Sequence, residues 1–244
     1  MSTLVEALDR KWYPEYGAKW DNVLFRTRIM KVISPSSRVL DLGAGAGILP
    51  QMNFRGLASR VYGIDPDRRV AANPNLDHAT IGSAESLPYA DESFDVVICN
   101  SVVEHLSDPM TVFAEVQRVL KPGGVFMFKT PNKWHYMPVL ARILPHRVHE
   151  LVNQVRGRAV VDTFPTLYRA NAAGPITSVA SSAGLIVTSL AFFEGRPEYL
   201  RFCALTYSLG WLYERVVNST SYLRKARVVI IGTLQKPAIG PTGK

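Results

Sequence analysis

The sequence predicts an α/β fold in which helices cover a mainly parallel β-sheet. From Arg38 to about Leu190, short β-branched runs bounded by turn residues alternate with segments of helical apolar periodicity. Such alternation is typical of strand–helix–strand units, which place their strands parallel. A length of 244 residues, 47% of them hydrophobic, is enough for one large domain with a substantial core.

The individual elements follow from local composition. The helix that begins at Asp108 is the best marked, because Asp108 is a good N-cap and Pro109 suits the first helical position. The turn Lys121–Gly124 then ends it. The predicted strands are 38–42, 60–64, 78–81, 95–99, 125–129, 185–193 and 227–234, and the predicted helices are 6–18, 20–33, 48–54, 108–120 and 174–183.

The net charge of +8 is unevenly distributed along the chain. Residues 1–128 contain 13 Lys and Arg against 15 Asp and Glu, whereas residues 129–244 contain 15 against 5. The basic character therefore belongs to the second half, where it indicates the kind of partner rather than the fold.

Cysteine usage and hydropathy predict a cytoplasmic protein. Cys99 and Cys203 are far apart, which argues against a disulfide framework or a zinc site. The longest relevant uncharged apolar stretch, Phe202–Tyr213, is shorter than the roughly 20 residues of a membrane-spanning helix. Met1–Arg10 lacks the apolar core of a signal peptide.

A glycine-rich loop follows the first predicted strand. Gly43, Gly45 and Gly47 permit positive φ and let a ligand approach the backbone closely. A dinucleotide loop needs glycine where Ile48 stands, and a pyrophosphate would be repelled by Asp41. A ligand with a sulfonium and an amino group would instead be attracted by that carboxylate.

The second predicted strand ends in another acidic residue. The Asp65 carboxylate, followed by Pro66, is expected beside the glycine loop. It could accept hydrogen bonds from both hydroxyls of a ribose. Alternatively, Asp65 only caps the turn at Pro66; its combination with Asp41 and the glycines favours the ligand.

Six motifs occur in order along the chain: Asp41–Gly47, Gly63–Asp65, Gly82–Tyr89, Asp91–Val97, Val103–Leu106 and Leu120–Gly124. Together they resemble the class I S-adenosylmethionine-dependent methyltransferases, of the small-molecule type related to the ubiquinone-biosynthesis methyltransferases. The resemblance implies S-adenosylmethionine as cofactor. It also implies a Rossmann-like, seven-stranded, mostly parallel sheet with an antiparallel last strand and helices on both faces.

The same resemblance assigns residues to the cofactor and divides the chain. Residues 1–37, including Tyr16 and Trp20, would form a helical lid, and residues 38–244 the cofactor-binding domain. Tyr16 and Trp20 could as well pack on the domain as one helix face. The implied cofactor-binding residues are Asp41, Gly43, Ala44, Gly45, Gly47, Asp65, Pro66, Ser83, Ala84, Glu85 and Asn100.

Methyl transfer to an oxygen requires an aligned acceptor and a place for its proton. His105, after the fourth strand, is the best candidate for the base, and Glu104 could orient it; alternatively both cap a turn. The related O-methyltransferases associate a metal ion with a second Glu, where this chain has Ser101, so no metal is predicted. Asn100–Val103 also lacks the signature of nucleic-acid amino-methyltransferases, so no nucleic-acid partner is expected.

Two long connections are candidates for acceptor recognition. Residues 130–173 are predicted to form a cap, whose Asn132, Trp134, His135 and Tyr136 lie at the cofactor edge. Its basic residues suit an anionic or phosphate-bearing acceptor, although a solvated basic face is the simpler interpretation. Residues 196–226, apolar and basic, could pack within the chain, form a homodimer or contact an anionic inner membrane surface.

The sequence thus predicts a methyltransferase that acts on a hydroxyl of a small molecule or glycan. An N- or C-methyltransferase acting on a metabolite or a quinone-like acceptor is one alternative. A binding protein for S-adenosylmethionine without transfer activity, acting as a partner subunit, is the other.

Overall fold

A computed structural model describes residues 3–17, 20–143 and 165–238, and a seven-stranded mixed sheet runs through its centre. The strand order is β3-β2-β1-β4-β5-β7-β6, with β7 antiparallel to both neighbours and the other strands parallel. This confirms the predicted fold class. The strands are β1 (Arg38–Leu42), β2 (Arg60–Asp65), β3 (His78–Ile81), β4 (Phe94–Asn100), β5 (Leu120–Pro131), β6 (Ile186–Phe193) and β7 (Val229–Gln235).

Helices pack on the two faces of the sheet. The first ends earlier than predicted, because Pro14 follows it closely and cannot donate to a continuing helix. Within the described ranges, none of the helices has both the length and the apolar composition to cross a bilayer. The helices are α1 (Thr3–Trp12), α2 (Trp20–Ile29), α3 (Pro109–Val119), α4 (Tyr136–Ile143), α5 (Ala173–Ser182) and α6 (Ala204–Asn218).

The strands alternate their side chains between two apolar layers. Leu40, Phe126 and Phe128 point into a layer shared with α3 and α5. Val39 and Met127, one residue removed, point into the opposite layer, which α2 covers. This period of two is what a sheet buried on both faces requires.

The predicted helix at residues 48–54 is absent, and only a short 3₁₀ turn, Pro50–Met52, is found there. Local side-chain bonding explains the error. Asn53 accepts a hydrogen bond from the Arg55 amide, which ends the turn. Asn75 donates to the carbonyls of Gly47 and Leu49, so these groups are not left for a helix. The glycine loop therefore leads into an irregular segment.

The topology brings one set of residues to a single edge. Because β1, β4, β5 and β6 run parallel, their carboxyl ends meet there, together with the start of β7. Gly43, Asn100, Asn132 and Glu194 come at or directly after these strand ends. In open α/β sheets this edge is where ligands bind.

Candidate active site

The glycine loop adopts the conformation that its sequence predicts. Gly43, Gly45 and Gly47 have φ values of 79°, 53° and 71°, which side chains other than glycine rarely adopt. A Cβ on Gly43 would lie 2.2 Å from a methyl carbon of Val102, whereas a Cβ on Gly45 would have no atom nearer than Asp65 Oδ2 at 4.0 Å. Gly45 therefore leaves open space beside the loop.

Two asparagines that the sequence interpretation missed hold this loop. The Asn73 side-chain amide donates to the carbonyls of Ala44 and Gly45 at 3.0 and 3.1 Å. A Cβ on Gly47 would lie only 2.1 Å from Asn73 Oδ1, so the third glycine is needed for this contact. Asn73 and Asn75 follow the 3₁₀ turn Arg68–Ala72, nearly thirty residues beyond the loop.

Asp65 and Pro66 lie where they were predicted, at the tip of β2. Asp65 Oδ2 accepts from the Gly45 amide at 2.9 Å, and Oδ1 accepts from the Asp67 amide at 2.8 Å. Each oxygen retains lone pairs, and the side chain is only half-buried. Asp65 thus supports the loop and can still accept from a ligand.

Asp41 is a buried carboxylate without a protein partner. Its side chain forms no hydrogen bond or ion pair within residues 3–17, 20–143 and 165–238. Burial, and to a smaller extent the charge of Asp65, raise the pKa of Asp41 to about 7. A cationic ligand would supply the compensation that the chain does not provide. The residues present therefore fit a donor with an ammonium and a sulfonium group.

The other predicted cofactor residues lie at or after the ends of β3 and β4. Ser83, Ala84 and Glu85 follow β3, and Ser83 and Glu85 are exposed. Glu85 is fixed by a hydrogen bond from the Ser107 hydroxyl at 2.6 Å. Asn100 ends β4 and donates to Asn22 Oδ1 at 3.2 Å.

Helix α2 contacts the carboxyl ends of β4 and β5. Lys129, buried on β5, places its Nζ 2.6 Å from Asp21 Oδ2 and 2.5 Å from Asn22 Oδ1. The sequence interpretation missed these long-range contacts. Just before α2, the rings of Tyr16 and Trp20 meet edge to face at 5.6 Å. Both rings lie against Gly195, where a Cβ would come within 3 Å of them.

Glu104 and His105 occupy the 3₁₀ turn Val103–His105. Glu104 is buried, accepts from the Thr130 hydroxyl at 2.8 Å, and has its pKa raised by burial. His105 is half-buried, with Nδ1 2.9 Å from the Pro165 carbonyl oxygen. Because a carbonyl oxygen only accepts, Nδ1 is the donor in this hydrogen bond.

The residues predicted to bind the acceptor differ widely in their exposure to solvent. Asn132 is fully buried and donates to the carbonyls of Lys225 and Arg227, so it fixes the start of β7. Trp134 is the exposed member, and Tyr136 begins α4. The cap residues Arg147, Arg156 and Arg158 and both nearby histidines, His146 and His149, lie outside the described residues.

His135 belongs to a buried cluster at the ends of β5 and β6. Its Nδ1 accepts weakly from the Met137 amide at 3.4 Å, which leaves Nε2 as donor, 3.6 Å from Glu194 Oε2. Burial lowers the pKa of His135 to about 3 and raises the pKa of Glu194 to about 8. The pair is therefore neutral near pH 7. Glu194, missed by the sequence interpretation, also accepts from the Val228 amide at 2.8 Å.

Comparisons with known proteins agree with this geometry. A family model described as a methyltransferase domain matches residues 40–128. A probable S-adenosylmethionine-dependent methyltransferase of Mycolicibacterium smegmatis is 36% identical over 104 residues, which are 41% of this chain and 40% of the relative. A ubiquinone biosynthesis O-methyltransferase of Hahella chejuensis is 39% identical over 109 residues, 41% of this chain and 45% of the relative. The matches thus span less than half of each relative.

A solved structure extends the comparison to nearly the whole chain. The YcgJ protein of Bacillus subtilis superposes with a TM-score of 0.55 at 20% identity, covering 88% of this chain and 98% of that one. This likeness concerns the fold alone. The strand order, the glycine loop and the matched family model are similar to those of the class I S-adenosylmethionine-dependent methyltransferases. The part of this chain that matches the methyltransferase-domain model is residues 40–128.

The buried Glu194 predicts a specific dependence of stability on pH. The folded state keeps the Glu194 proton up to about pH 8, whereas the unfolded chain loses it near the ordinary value of 4.5. The free energy of unfolding should therefore fall as pH rises from 5 to 8, by about 1.4 kcal/mol per pH unit from this group. Glu194→Gln removes the titrating proton but keeps an oxygen for the Val228 amide.

Urea unfolding at several pH values measures this effect. The difference in unfolding free energy between Glu194→Gln and the parent should grow in favour of the variant from pH 5 to pH 8. Glu6→Gln, an exposed carboxylate on α1, serves as the control and should follow the parent. Parallel curves for parent and Glu194→Gln would contradict a protonated Glu194.

Proposed function

We propose that this protein transfers a methyl group from S-adenosylmethionine to a hydroxyl oxygen of a small-molecule or glycan acceptor. The observation that carries the proposal is Asp41, a buried carboxylate without a partner in the described structure, next to the open space at Gly45. A cationic donor relieves the cost of that isolated charge. When bound, S-adenosylmethionine supplies an activated methyl group on a good leaving group.

Residues of the chain would orient the donor from three strand tips. Asp41 attracts its positive charges, while Asp65 accepts from the ribose hydroxyls. Ser83, Ala84 and Glu85 line the adenine end. Residues 1–37 would close over the donor, and the contact between α2 and Lys129 supports that role because it anchors the helix to this edge.

His105 would accept the proton of the acceptor hydroxyl. Its Nδ1–H donates to the Pro165 carbonyl, which orients the ring. Glu104, buried and bonded to Thr130, would hold the turn in place rather than contact the acceptor. Ser101 follows β4 directly and has φ of 59°. Strained backbone conformations of this kind are common at functional sites.

The acceptor side has a basic and aromatic character. Trp134, exposed, borders a cleft of about 170 Å³ together with Lys133 and Lys225. These two ammonium groups favour an anionic acceptor, as the composition of the 130–173 cap also does. Tyr16 and Tyr136 would contribute aromatic contacts, and Asn132 and His135, both buried, would support the walls.

A binding protein without transfer is the second candidate function. It is favoured by the burial of Glu104, Asn132 and His135, which are engaged in internal contacts instead of facing an acceptor. Transfer to nitrogen or carbon would need a different acceptor but the same donor site. Turnover with an identified acceptor separates these cases.

Calorimetric titration with S-adenosylhomocysteine tests the donor site. The parent protein should bind it, and Asp65→Ala should bind at least about tenfold more weakly, because charged hydrogen bonds to the ligand and to the Gly45 amide are lost. Asp67→Ala removes a neighbouring carboxylate that accepts from the Arg69 amide and guanidinium within its own turn, and should change the affinity little. Failure of the parent to bind would exclude the proposed function.

A second experiment tests His105 as the base. An acceptor is first identified by incubating metabolite and glycolipid extracts with isotopically labelled S-adenosylmethionine and screening for products that carry the labelled methyl group. With that acceptor, His105→Ala should lower the single-turnover rate at least about 100-fold near neutral pH, the usual contribution of general base catalysis.

The control is His78→Ala. His78 is exposed and lies at the amino end of β3, whereas the proposed site lies at the carboxyl ends of the strands. This variant should leave the rate unchanged. An unaltered rate and pH profile in His105→Ala would remove His105 from the mechanism.

A further inference from the structure

Helix α6 carries apolar side chains on the face that points to solvent. Its inner face is buried and includes Tyr207, Gly210 and Val217. The outer residues recur every three or four positions, so they form one continuous stripe along the helix. The exposed fractions of this leucine stripe are 71% for Leu205, 56% for Leu209, 53% for Leu212 and 49% for Val216.

An ordinary surface helix keeps polar side chains on its outer face, whereas α6 has large apolar side chains there as well as on its inner face. The inner face of α6 also includes the carboxylate of Glu214, held by Tyr13 and Asn218. The folding of the domain therefore does not account for the leucine stripe. A row of large apolar side chains in water is typical of a surface that binds an apolar partner.

A basic cleft lies where α6 ends. It has a volume of about 460 Å³ and is walled by the hydroxyl residues Ser219, Thr220 and Ser221 and by the end of β6. Arg28, Arg224 and Arg227 also line it. None of the three guanidinium groups has a carboxylate partner within 4 Å in the described residues.

The arginines of this basic cleft are positioned differently. Arg227 donates to the carbonyls of Val217, Phe192 and Thr220, which fixes its guanidinium in the wall. Arg28 stacks over the Phe193 ring at 4.8 Å and has no side-chain hydrogen bond within the described ranges. Arg224 is exposed. Guanidinium groups with unused N–H donors, next to hydroxyl groups, suit the binding of a phosphate.

The leucine stripe and the basic cleft are continuous along the chain. Val216 is followed within three residues by Ser219 in the cleft wall. Beyond the wall come Tyr222, 92% exposed, and the exposed Leu223, and then the basic pair Arg224 and Lys225. Exposed apolar and cationic residues therefore follow one another closely along this segment.

We propose that α6 lies on the surface of an anionic phospholipid membrane. The leucine stripe would enter the boundary between headgroups and acyl chains, and the basic cleft would receive a phosphate of a lipid headgroup. Interfacial helices combine an apolar face with flanking cations in this way. A second copy of the chain is a poorer occupant, because it would bring the same arginines and Lys225 against each other.

The membrane contact does not rest on methyl transfer. It concerns α6 and the segment behind it, whereas the donor site is built on the tips of β1 and β2. Binding of S-adenosylhomocysteine and binding of vesicles are therefore separate measurements, and either can fail alone.

Flotation through a density gradient with phospholipid vesicles tests the proposal. The parent protein should float with vesicles of phosphatidylcholine and phosphatidylglycerol and much less with phosphatidylcholine alone. Raising the salt should weaken binding, because the Debye length shrinks from about 10 Å at 0.1 M to about 3 Å at 1 M. Combined Leu205→Ser, Leu209→Ser and Leu212→Ser should lower the partition coefficient at least about tenfold.

A second variant separates headgroup contact from insertion. Arg28→Gln with Arg224→Gln should weaken binding to the anionic vesicles several-fold and leave the weak binding to neutral vesicles unchanged. Matched controls are Ile186→Ser, an exposed apolar residue at the opposite end of β6, and Arg60→Gln, an exposed arginine at the start of β2. Both should float like the parent, and thermal unfolding confirms that every variant is folded.

Several outcomes would overturn the proposal. Equal flotation of the leucine variant and the parent would exclude insertion of the stripe, and indifference to lipid charge and salt would exclude the headgroup site. Absence of flotation together with a dimer that the leucine variant dissociates, measured by sedimentation velocity, would assign the stripe to a second copy. If neither flotation nor a dimer is observed, the membrane proposal is wrong, and the stripe would instead bind an acidic or apolar protein partner.

Discussion

The hydrogen bond from the Gly45 amide to Asp65 joins the tips of the first two strands, and the proposed donor site depends on it. The three glycines of the loop keep positive φ although no α-helix follows directly. Asn73 completes the arrangement by binding two carbonyls of the loop from the other side. With the loop fixed, Asp41 lies buried beneath it with an uncompensated charge, and the preference for a cationic ligand follows.

How far the sequence could predict this structure depends on the range of each interaction. Most strand positions and α3 agree with the prediction within a few residues, because apolar periodicity and the Asp108 cap are local features. The predicted turn at Lys121–Gly124 is wrong, because β5 begins directly after α3, at Leu120, and includes these residues. The predicted helix at residues 48–54 is wrong, because the carbonyls of Gly47 and Leu49 accept hydrogen bonds from Asn75, which lies far along the chain. Nothing in the local sequence marks Asn75 for that contact.

The candidate site divides in the same way. The positions of Asp41, Asp65 and the glycines could be predicted, since each lies at, or soon after, the end of a predicted strand. Lys129, Asn22 and Glu194 could not, because their roles arise from pairings across 34 to 107 residues. The burial of His135 also depends on aromatic rings from the distant helix α6 and its surroundings, not on its own segment.

The central claim is that Asp41 must be ionised to bind the donor, and its affinity for S-adenosylhomocysteine as a function of pH tests this most directly. With a pKa of about 7 in the free protein, the ionised fraction rises about tenfold between pH 6 and pH 8. The affinity should rise by about the same factor, and Asp41→Asn should bind more weakly with no such rise over this interval. An affinity that is the same at pH 6 and pH 8 in the parent, or an equal pH dependence in Asp41→Asn, would contradict the account.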